Sequence, residues 1–329
     1  MTKSILSLII IFIVAITIVA VIGIRTWPLL NNIPKFNGEF GKVVNIALIK
    51  PTFTAAAYRG SFYKFYFLYS NLPSHAQKNI TTDINLLSSE VTNRTSRSSS
   101  AFSIDYLTEH LKTPKSSISV LTDADADNVN SLFFVNGTNK YDILILGHQE
   151  YVTQQEYANL KHFVANGGTL VLMDGNVFYA EVKYDRNIHT ITLVKGHGWA
   201  YNGKSAWKSV RESWANETSQ WVGSNFFCLS CNITFANNPF QYKHHEEQHV
   251  TNPNDLILLN YHASTSIKQS KTADPVIATY ELNYHKGKVI ALGIYSDDII
   301  ANSKFNKFFD CLLVKYAPKS PTFSIRPIS

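Results

Sequence analysis

The sequence predicts an α/β fold with a mostly parallel sheet, preceded by one N-terminal transmembrane helix. Three observations carry that expectation: an uninterrupted apolar segment at the start, short β-branched runs that end in polar turns, and an amphipathic helix bracketed by two such runs. The 329 residues are 45% hydrophobic, 13% aromatic and 16% charged, against a charged share of roughly 25% in ordinary globular domains. This excludes a disordered chain, a coiled coil and a small disulfide scaffold, and it allows one large domain or two modest ones. Thirty Lys and Arg against 24 Asp and Glu give a net charge of +6. No two basic residues are adjacent, so the footprint of a nucleic-acid binder is missing.

Residues 1–4 form a short tail, and residues 5–24 read ILSLIIIFIVAITIVAVIGI, without a charge, Pro, Asn or Gln. At 1.5 Å rise per residue this run spans about 30 Å, the thickness of the bilayer hydrocarbon. Cleaved signal peptides carry a shorter apolar stretch and a small-residue exit. Here the run leaves through Ile24-Arg25-Thr26-Trp27-Pro28, which favours an uncleaved signal anchor. Lys3 before the run and Arg25 and Lys35 after it nearly balance the positive-inside rule. A single N-terminal anchor ahead of a large domain most often leaves that domain outside the cell membrane. Sequons at Asn79, Asn93, Asn136, Asn216 and Asn232 permit that side without proving it, since this composition yields about four by chance. Removing residues 1–28 subtracts Lys3 and Arg25 and no acid, so the remaining charge is ordinary.

Residues 25–41 carry two Pro and two Gly without periodicity and read as a linker to a domain over 42–329. VVNIALIK (Val43–Lys50) is the first strand, followed by a Tyr/Phe-rich segment over Ala55–Tyr69. Residues 88–103 are Ser/Thr-rich and are expected to form an exposed loop. SISVLTD (Ser117–Asp123) and YDILILG (Tyr141–Gly147) read as buried strands. In the segment before TLVLMDGN (Thr169–Asn176), Tyr157, Leu160, Phe163 and Val164 have helical spacing, Thr153 is the N-cap, and Gly167–Gly168 stop the helix. Strand, helix, Gly-Gly, strand is a βαβ unit and implies parallel pairing. DLILLNY, PVIATYELN and GKVIALGIY are later strands, and a last helix over Ser303–Tyr316 presents Phe305, Phe308, Phe309 and Leu312 on one face, with Cys311 expected as a buried free thiol. In doubly wound sheets ligands sit beyond the C-terminal strand ends, so the turns TDADAD, GHQEY and DGNVFY should converge on one edge.

Those turns carry a resemblance. A strand ending TDADAD, then YDILILGHQEY, then FVANGGTLVLMDGNVFYAEV resembles the C-terminal domain of the N,N-dimethylformamidase large (beta) subunit family, closely over residues 117–182 and loosely beyond. PTFTAAAYRGSFYKFY upstream fits that domain's entry region, and VKGHGWAYNGKSAW its continuation. The wider relatives are glutamine amidotransferase-like and trehalose-utilisation-like proteins, so the resemblance implies a flavodoxin-like three-layer sandwich. Glutaminases of that group place a nucleophilic Cys on the turn where Met173, Asp174 and Gly175 stand here, so Cys-dependent glutaminase chemistry is excluded.

The formamidase resemblance implies a mononuclear iron held by two tyrosinates and a carboxylate, with a nearby His. Carried over by motif, the tyrosines are Tyr151 and Tyr179. The His-x-Glu pair falls in KHHEEQH, as His245 with Glu247 or His244 with Glu246, and spacing does not choose between them. His148 and Asp174 join them as candidate proton carriers; Asp174 replaces the family's Gly and adds a carboxylate. A metal-bound hydroxide attacking a small amide, with His as shuttle, is the implied activity. The family's large N-terminal portion is missing from this chain.

Other readings compete. Cys228, Cys231, His244 and His249 have the spacing C-x2-C-x12-H-x4-H of a zinc site, but Asn237-Asn238-Pro239 breaks the helix a DNA-binding finger needs. A disulfide between Cys228 and Cys231 is favoured over structural zinc in an extracytoplasmic domain. Asp123, Asp125 and Asp127 start like a calcium loop that Asn128 and Phe134 do not continue, so a solvated turn or helix cap is expected. Two functions therefore stand side by side: a metal-dependent amidohydrolase, and a non-catalytic surface domain that keeps the fold to bind glycans or envelope proteins.

Overall fold

The computed structural model describes residues 35–62, 65, 87–92, 101–174, 177–195, 200–201, 204–205, 214–226, 248–250, 257–258, 276–277, 280–292 and 303–318. The apolar run 5–24 and the candidates Cys228, Cys231, His244, His245, Glu246 and Glu247 lie outside them. Among the described residues no helix is long and apolar enough to cross a membrane. The chain divides into two units, Met1–Lys35 and Phe36–Ser329, and every strand and helix named here belongs to the second.

The strands are β1 (Val44–Lys50), β2 (Ser88–Glu90), β3 (Ser116–Thr122), β4 (Ile143–Leu146), β5 (Tyr151–Val152), β6 (Thr169–Leu172), β7 (Ala180–Asp185), β8 (Thr190–Lys195), β9 (Ala200–Tyr201), β10 (Lys204–Ser205), β11 (Ser224–Phe226), β12 (Gln248–Val250), β13 (Ile257–Leu258), β14 (Val276–Ile277), β15 (Tyr280–Tyr284) and β16 (Gly287–Ala291). The helices are α1 (Thr52–Arg59), α2 (Ala101–His110), α3 (Asp123–Ala126), α4 (Val129–Leu132), α5 (Gln154–Ala165), α6 (Ala215–Trp221) and α7 (Ser303–Tyr316).

The main sheet has the order β13-β15-β16-β6-β4-β1-β3. Pairing is parallel from β3 through β16 and antiparallel at β15 and β13. β4 and β6 pair directly with Ile143 opposite Thr169, and α5 makes the crossover. Side chains alternate across the sheet. Ala47, Ile49, Leu144, Leu146, Leu170, Leu172 and Val289 form one apolar face, covered by Tyr157, Leu160, Phe163 and Val164 of α5. Each such fully buried Leu or Phe stabilises the fold by roughly 1.5–3 kcal/mol. Ile46, Leu48, Ile145, Val171 and Ile290 point the other way and are also fully buried. α2 packs on β1 and β3 there. α7 is tied to α2 by His110 Nε2 to Asp310 Oδ1 (2.6 Å) and by Asn306 Nδ2 to the Tyr106 hydroxyl (2.7 Å).

Thr153 caps α5, its hydroxyl accepting from Glu156 N at 3.0 Å, and Gly167 at φ 102 ends the exit turn. The α5 exit meets the β15–β16 turn closely. A Cβ on Gly287 would stand 2.2 Å from the Val164 carbonyl oxygen and 2.3 Å from that of Gly168.

Several elements depart from the sequence reading. β3 is an edge strand with Val120 42% exposed, so it is not buried on both faces. The expected loop over 88–103 contributes β2 at one end and the start of α2 at the other. β2 joins a second sheet of order β2-β8-β7-β5, which packs on Phe53, Ala56 and Ala57 of α1. Cys311 is exposed, not buried, because it shares the outer face of α7 with Lys307 and Lys315 at four-residue spacing, while Phe305, Phe309, Leu312 and Leu313 face inward. Within the linker stretch, Phe36 stacks on Phe40 and Asn37 N donates to Asp310 Oδ2 (2.9 Å), so residues 36–40 pack on the domain.

Candidate active site

Parallel strands deliver their following turns to one edge. β1 leads into Thr52, β3 into Asp123, β4 into His148-Gln149-Glu150-Tyr151 and β6 into Asp174. The backbone of the β4 turn is held from both sides. Glu150 N and Tyr151 N donate to the Thr54 hydroxyl at 3.1 and 3.2 Å. Gln149 O accepts from Phe178 N (2.8 Å), and Glu150 O accepts from Tyr179 N and Ala180 N (both 2.9 Å). Phe178 has φ 56, an unusual conformation for a bulky residue, and its ring is held between Tyr157 and Trp221.

Inside this cradle His148, Glu150 and Asp174 are each 0% exposed. His148 Nδ1 lies 3.4 Å from Asp174 Oδ2, and His148 Nε2 lies 3.5 Å from Glu150 Oε2. The Tyr58 hydroxyl donates to the same Glu150 oxygen at 2.5 Å. Its ring meets His148 edge-on with centroids 5.6 Å apart and Tyr151 at 6.4 Å, and Phe62 closes on Tyr151 from beyond. A histidine with a carboxylate on each ring nitrogen can pass a proton between them. Burying three ionisable groups carries a desolvation penalty of several kcal/mol per ion, which packing alone gives no reason to incur.

A second buried acid pair lies behind Gln149. Asp123 accepts from Phe53 N (2.6 Å) and the Thr52 hydroxyl (3.2 Å) through Oδ2, and from Gln149 Nε2 (3.2 Å) through Oδ1. Burial pushes its carboxyl up to about 7 against the pull of those donors. Glu156 is enclosed beside it, with no donor in good geometry to either oxygen among the described residues. Burial first, and then the neighbouring Asp123 charge, raise Glu156 well above the usual range. Asp123 is thus no solvated turn residue. Asp125 does cap α3 in a box with Thr122, and Asp127 pairs with Arg186 at 2.6 Å.

Of the residues singled out by sequence, the structure brings His148 and Asp174 into contact and places Tyr151 in the same cluster. Tyr151 pairs with Ala180 across β5 and β7, and Tyr179 immediately precedes β7; Tyr151 is 0% and Tyr179 5% exposed. Both phenols are buried, and phenol and carboxylate oxygens are hard donors of the kind ferric iron accepts, so the residue types fit that ion. Among the described residues no group of three or more His, Cys, Asp and Glu is arranged to hold a metal. Sequence reasoning missed Tyr58 and Glu150 as site residues. Glu150 was legible inside GHQEY; Tyr58 carried no signal beyond a Tyr-rich segment.

A family model described as N,N-dimethylformamidase beta subunit-like, C-terminal, matches residues 39–274. No curated protein matches the chain. Among solved structures, a GH42 beta-galactosidase of G. stearothermophilus is similar at 13% identity and TM-score 0.36, covering 83% of this chain and 30% of that one. The chain therefore spans less than a third of that enzyme's length. A putative ThuA-like protein of Bacteroides uniformis ATCC 8492 is similar at 12% identity and TM-score 0.37, covering 85% and 94%. A cytoplasmic protein of Salmonella typhimurium LT2 is similar at 10% identity and TM-score 0.35, covering 62% and 83%. The matched stretch 39–274 takes in β1, α1 and all the turns that enclose His148, and the chain belongs to the N,N-dimethylformamidase beta subunit-like C-terminal family.

Proposed function

We propose that this dimethylformamidase-like domain hydrolyses a small amide with a metal ion, on the outer side of a membrane to which residues 5–24 anchor it. The observation that carries the reading is the fully buried His148 between Glu150 and Asp174, with Tyr58 on Glu150. Tyr151 and Tyr179, with Glu246 or Glu247, would hold a ferric ion, which when bound acidifies water and polarises a carbonyl. His148 carries a proton between Glu150 and Asp174, and His245 is a second candidate shuttle. Tyr58 fixes the Glu150 carboxylate, and the aromatic wall of Tyr58, Phe62 and Tyr151 excludes water and suits an N-alkylated amide.

The test uses full-length protein in detergent. Iron analysis, the visible tyrosinate charge-transfer band and amine release from formamide and N,N-dimethylformamide are measured together. The expected result is one iron per chain, a band lost in Tyr151→Phe, and amine release. Iron-free protein, without a band and inert after iron loading, would sink the reading.

A further inference from the structure

We propose that Asn136 is an N-glycosylation site, taking its sugar from a polyprenyl-phosphate-linked oligosaccharide at the edge of the domain opposite the candidate active site. The proposal rests on the outward placement proposed above.

Asn136-Gly137-Thr138 forms the crown of a closed turn. Phe134 N donates to Thr138 O (2.9 Å), Gly137 N donates to Phe134 O (2.8 Å), and a bridge between Phe133 and Asn139 closes its base. Asn139 Nδ2 donates to Phe163 O (3.0 Å) and Asn166 Nδ2 to Gly137 O (3.1 Å), so the turn is pinned to α5. Residues 134–138 are all exposed. Gly137 at φ 80 has open space around it, with nothing within 4 Å of where a Cβ would stand.

Within that crown Asn136 Oδ1 accepts from Thr138 N (3.1 Å) and from the Thr138 hydroxyl (2.7 Å). Accepting from a backbone N–H assigns Oδ1 and leaves Nδ2 as the outer edge of the amide. The acceptor asparagine and the sequon hydroxyl are therefore already joined on an accessible surface.

The sequon at Asn216 is the contrast. Its Thr218 is 3% exposed and the hydroxyl is committed to Tyr157 at 3.0 Å inside the core. Asn79, Asn93 and Asn232 lie outside the described residues. The Asn136 crown also carries Phe134 at 54% and Val135 at 106% exposure, apolar surface that a hydrophilic glycan would screen. The turn feeds the N-terminal end of β4, whereas His148 follows its C-terminal end, so a glycan there leaves the site open.

In the transfer, Asn136 Nδ2 attacks the anomeric carbon. The N–C bond forms, the C–O bond to the donor's phosphate breaks, the amide proton goes to a base of the transferase, and nothing is oxidised or reduced.

The test is peptide mass spectrometry of the full-length protein from membranes of its native host. In the same cells a membrane-impermeant maleimide is applied to the exposed Cys311, with Cys311→Ser as control. Labelled Cys311 with a glycan on the Asn136 peptide, abolished by Asn136→Gln and Thr138→Ala and retained by Thr138→Ser, is the expected result. Labelled Cys311 with an unmodified Asn136 peptide, or one converted only to Asp by Asn-Gly deamidation, overturns the glycan and leaves the outward placement standing. Cys311 that labels only after lysis overturns both.

Discussion

His148 Nδ1 lies 3.4 Å from Asp174 Oδ2, and neither side chain is exposed. Asp174 occupies the turn after β6, at the edge where the parallel strands deliver their turns, and holds a carboxylate beside an imidazole. If that pair moves a proton, Asp174→Asn should lower kcat for amide hydrolysis by about 10²–10⁴-fold and flatten the pH–rate profile, leaving the circular dichroism spectrum unchanged. Unaltered kcat would make Asp174 a packing residue.

Tyr58 has a different test. Tyr58→Phe keeps the ring contacts to His148 and Tyr151 but removes the hydroxyl that donates to Glu150 Oε2. Leaving a buried carboxylate short of a donor costs about 1–3 kcal/mol. Urea unfolding should report that loss, and Tyr58→Phe in a Glu150→Gln background should cost markedly less. Equal losses in both backgrounds would mean that the hydrogen bond contributes nothing.

The Asp123–Glu156 pair makes stability pH-dependent, with a sign opposite to that of a salt-bridged acid. Asp123 is raised from 3.8 to about 7 in the folded chain, so between about pH 4 and 7 the folded state keeps a proton that the unfolded chain has released. Stability from this source is therefore present below pH 4, declines as pH rises through that window, and is lost above about 7, by up to about 4 kcal/mol. Glu156 shifts in the same direction and extends the decline. Glu156→Gln removes one titrating group, so its urea midpoint should vary less between pH 4 and 8 than that of the parent. An unchanged slope would mean that Glu156 contributes nothing to the pH dependence.

The sheet and its crossover were legible because period and punctuation agree: Tyr157, Leu160, Phe163 and Val164 repeat with the helix, and Gly167–Gly168 end it. The β2-β8-β7-β5 sheet was not legible. β7 and β8 are half-exposed and polar, and they are held by packing on α1 through tertiary contact rather than by a hydrophobic run. At the site, His148, Asp174, Tyr151 and Tyr179 stood out because each sits at a strand end in a motif. Asp123 looked like a loop acid because sequence cannot show that Gln149 and Phe53 close over it. The same blindness put Cys311 on the wrong face of α7, where one position of helical phase decides between core and solvent.

A prediction away from the site tests the crossover geometry. Gly287 opens β16 opposite Tyr284, where the α5 exit crosses it. A methyl group there would stand 2.2 Å from Val164 O and 2.3 Å from Gly168 O, both backbone atoms that cannot rotate aside. Gly287→Ala should therefore force α5 and β16 apart and destabilise the domain by about 3 kcal/mol or more, measured by urea unfolding.

The last prediction concerns the strap at the domain's entrance. Asp310 takes His110 Nε2 on one oxygen (2.6 Å) and Asn37 N on the other (2.9 Å), joining α2, α7 and the strap 36–40 at one buried carboxylate. Breaking a buried pair by removing one partner typically costs about 3–5 kcal/mol, because the group left behind keeps its desolvation penalty. Asp310→Ala should thus lower the thermal midpoint by several degrees and expose the strap to protease, cutting between Lys35 and Lys42. Asp310→Asn keeps a carbonyl that can still accept from Asn37 N, so it should restore protease resistance more fully than thermal stability. If both variants melt and digest like the parent, the strap is held by its other ties, Phe36 N to His110 O (3.0 Å) and Glu39 to Lys115 (2.9 Å), and Asp310 is not the joint between the linker and the fold.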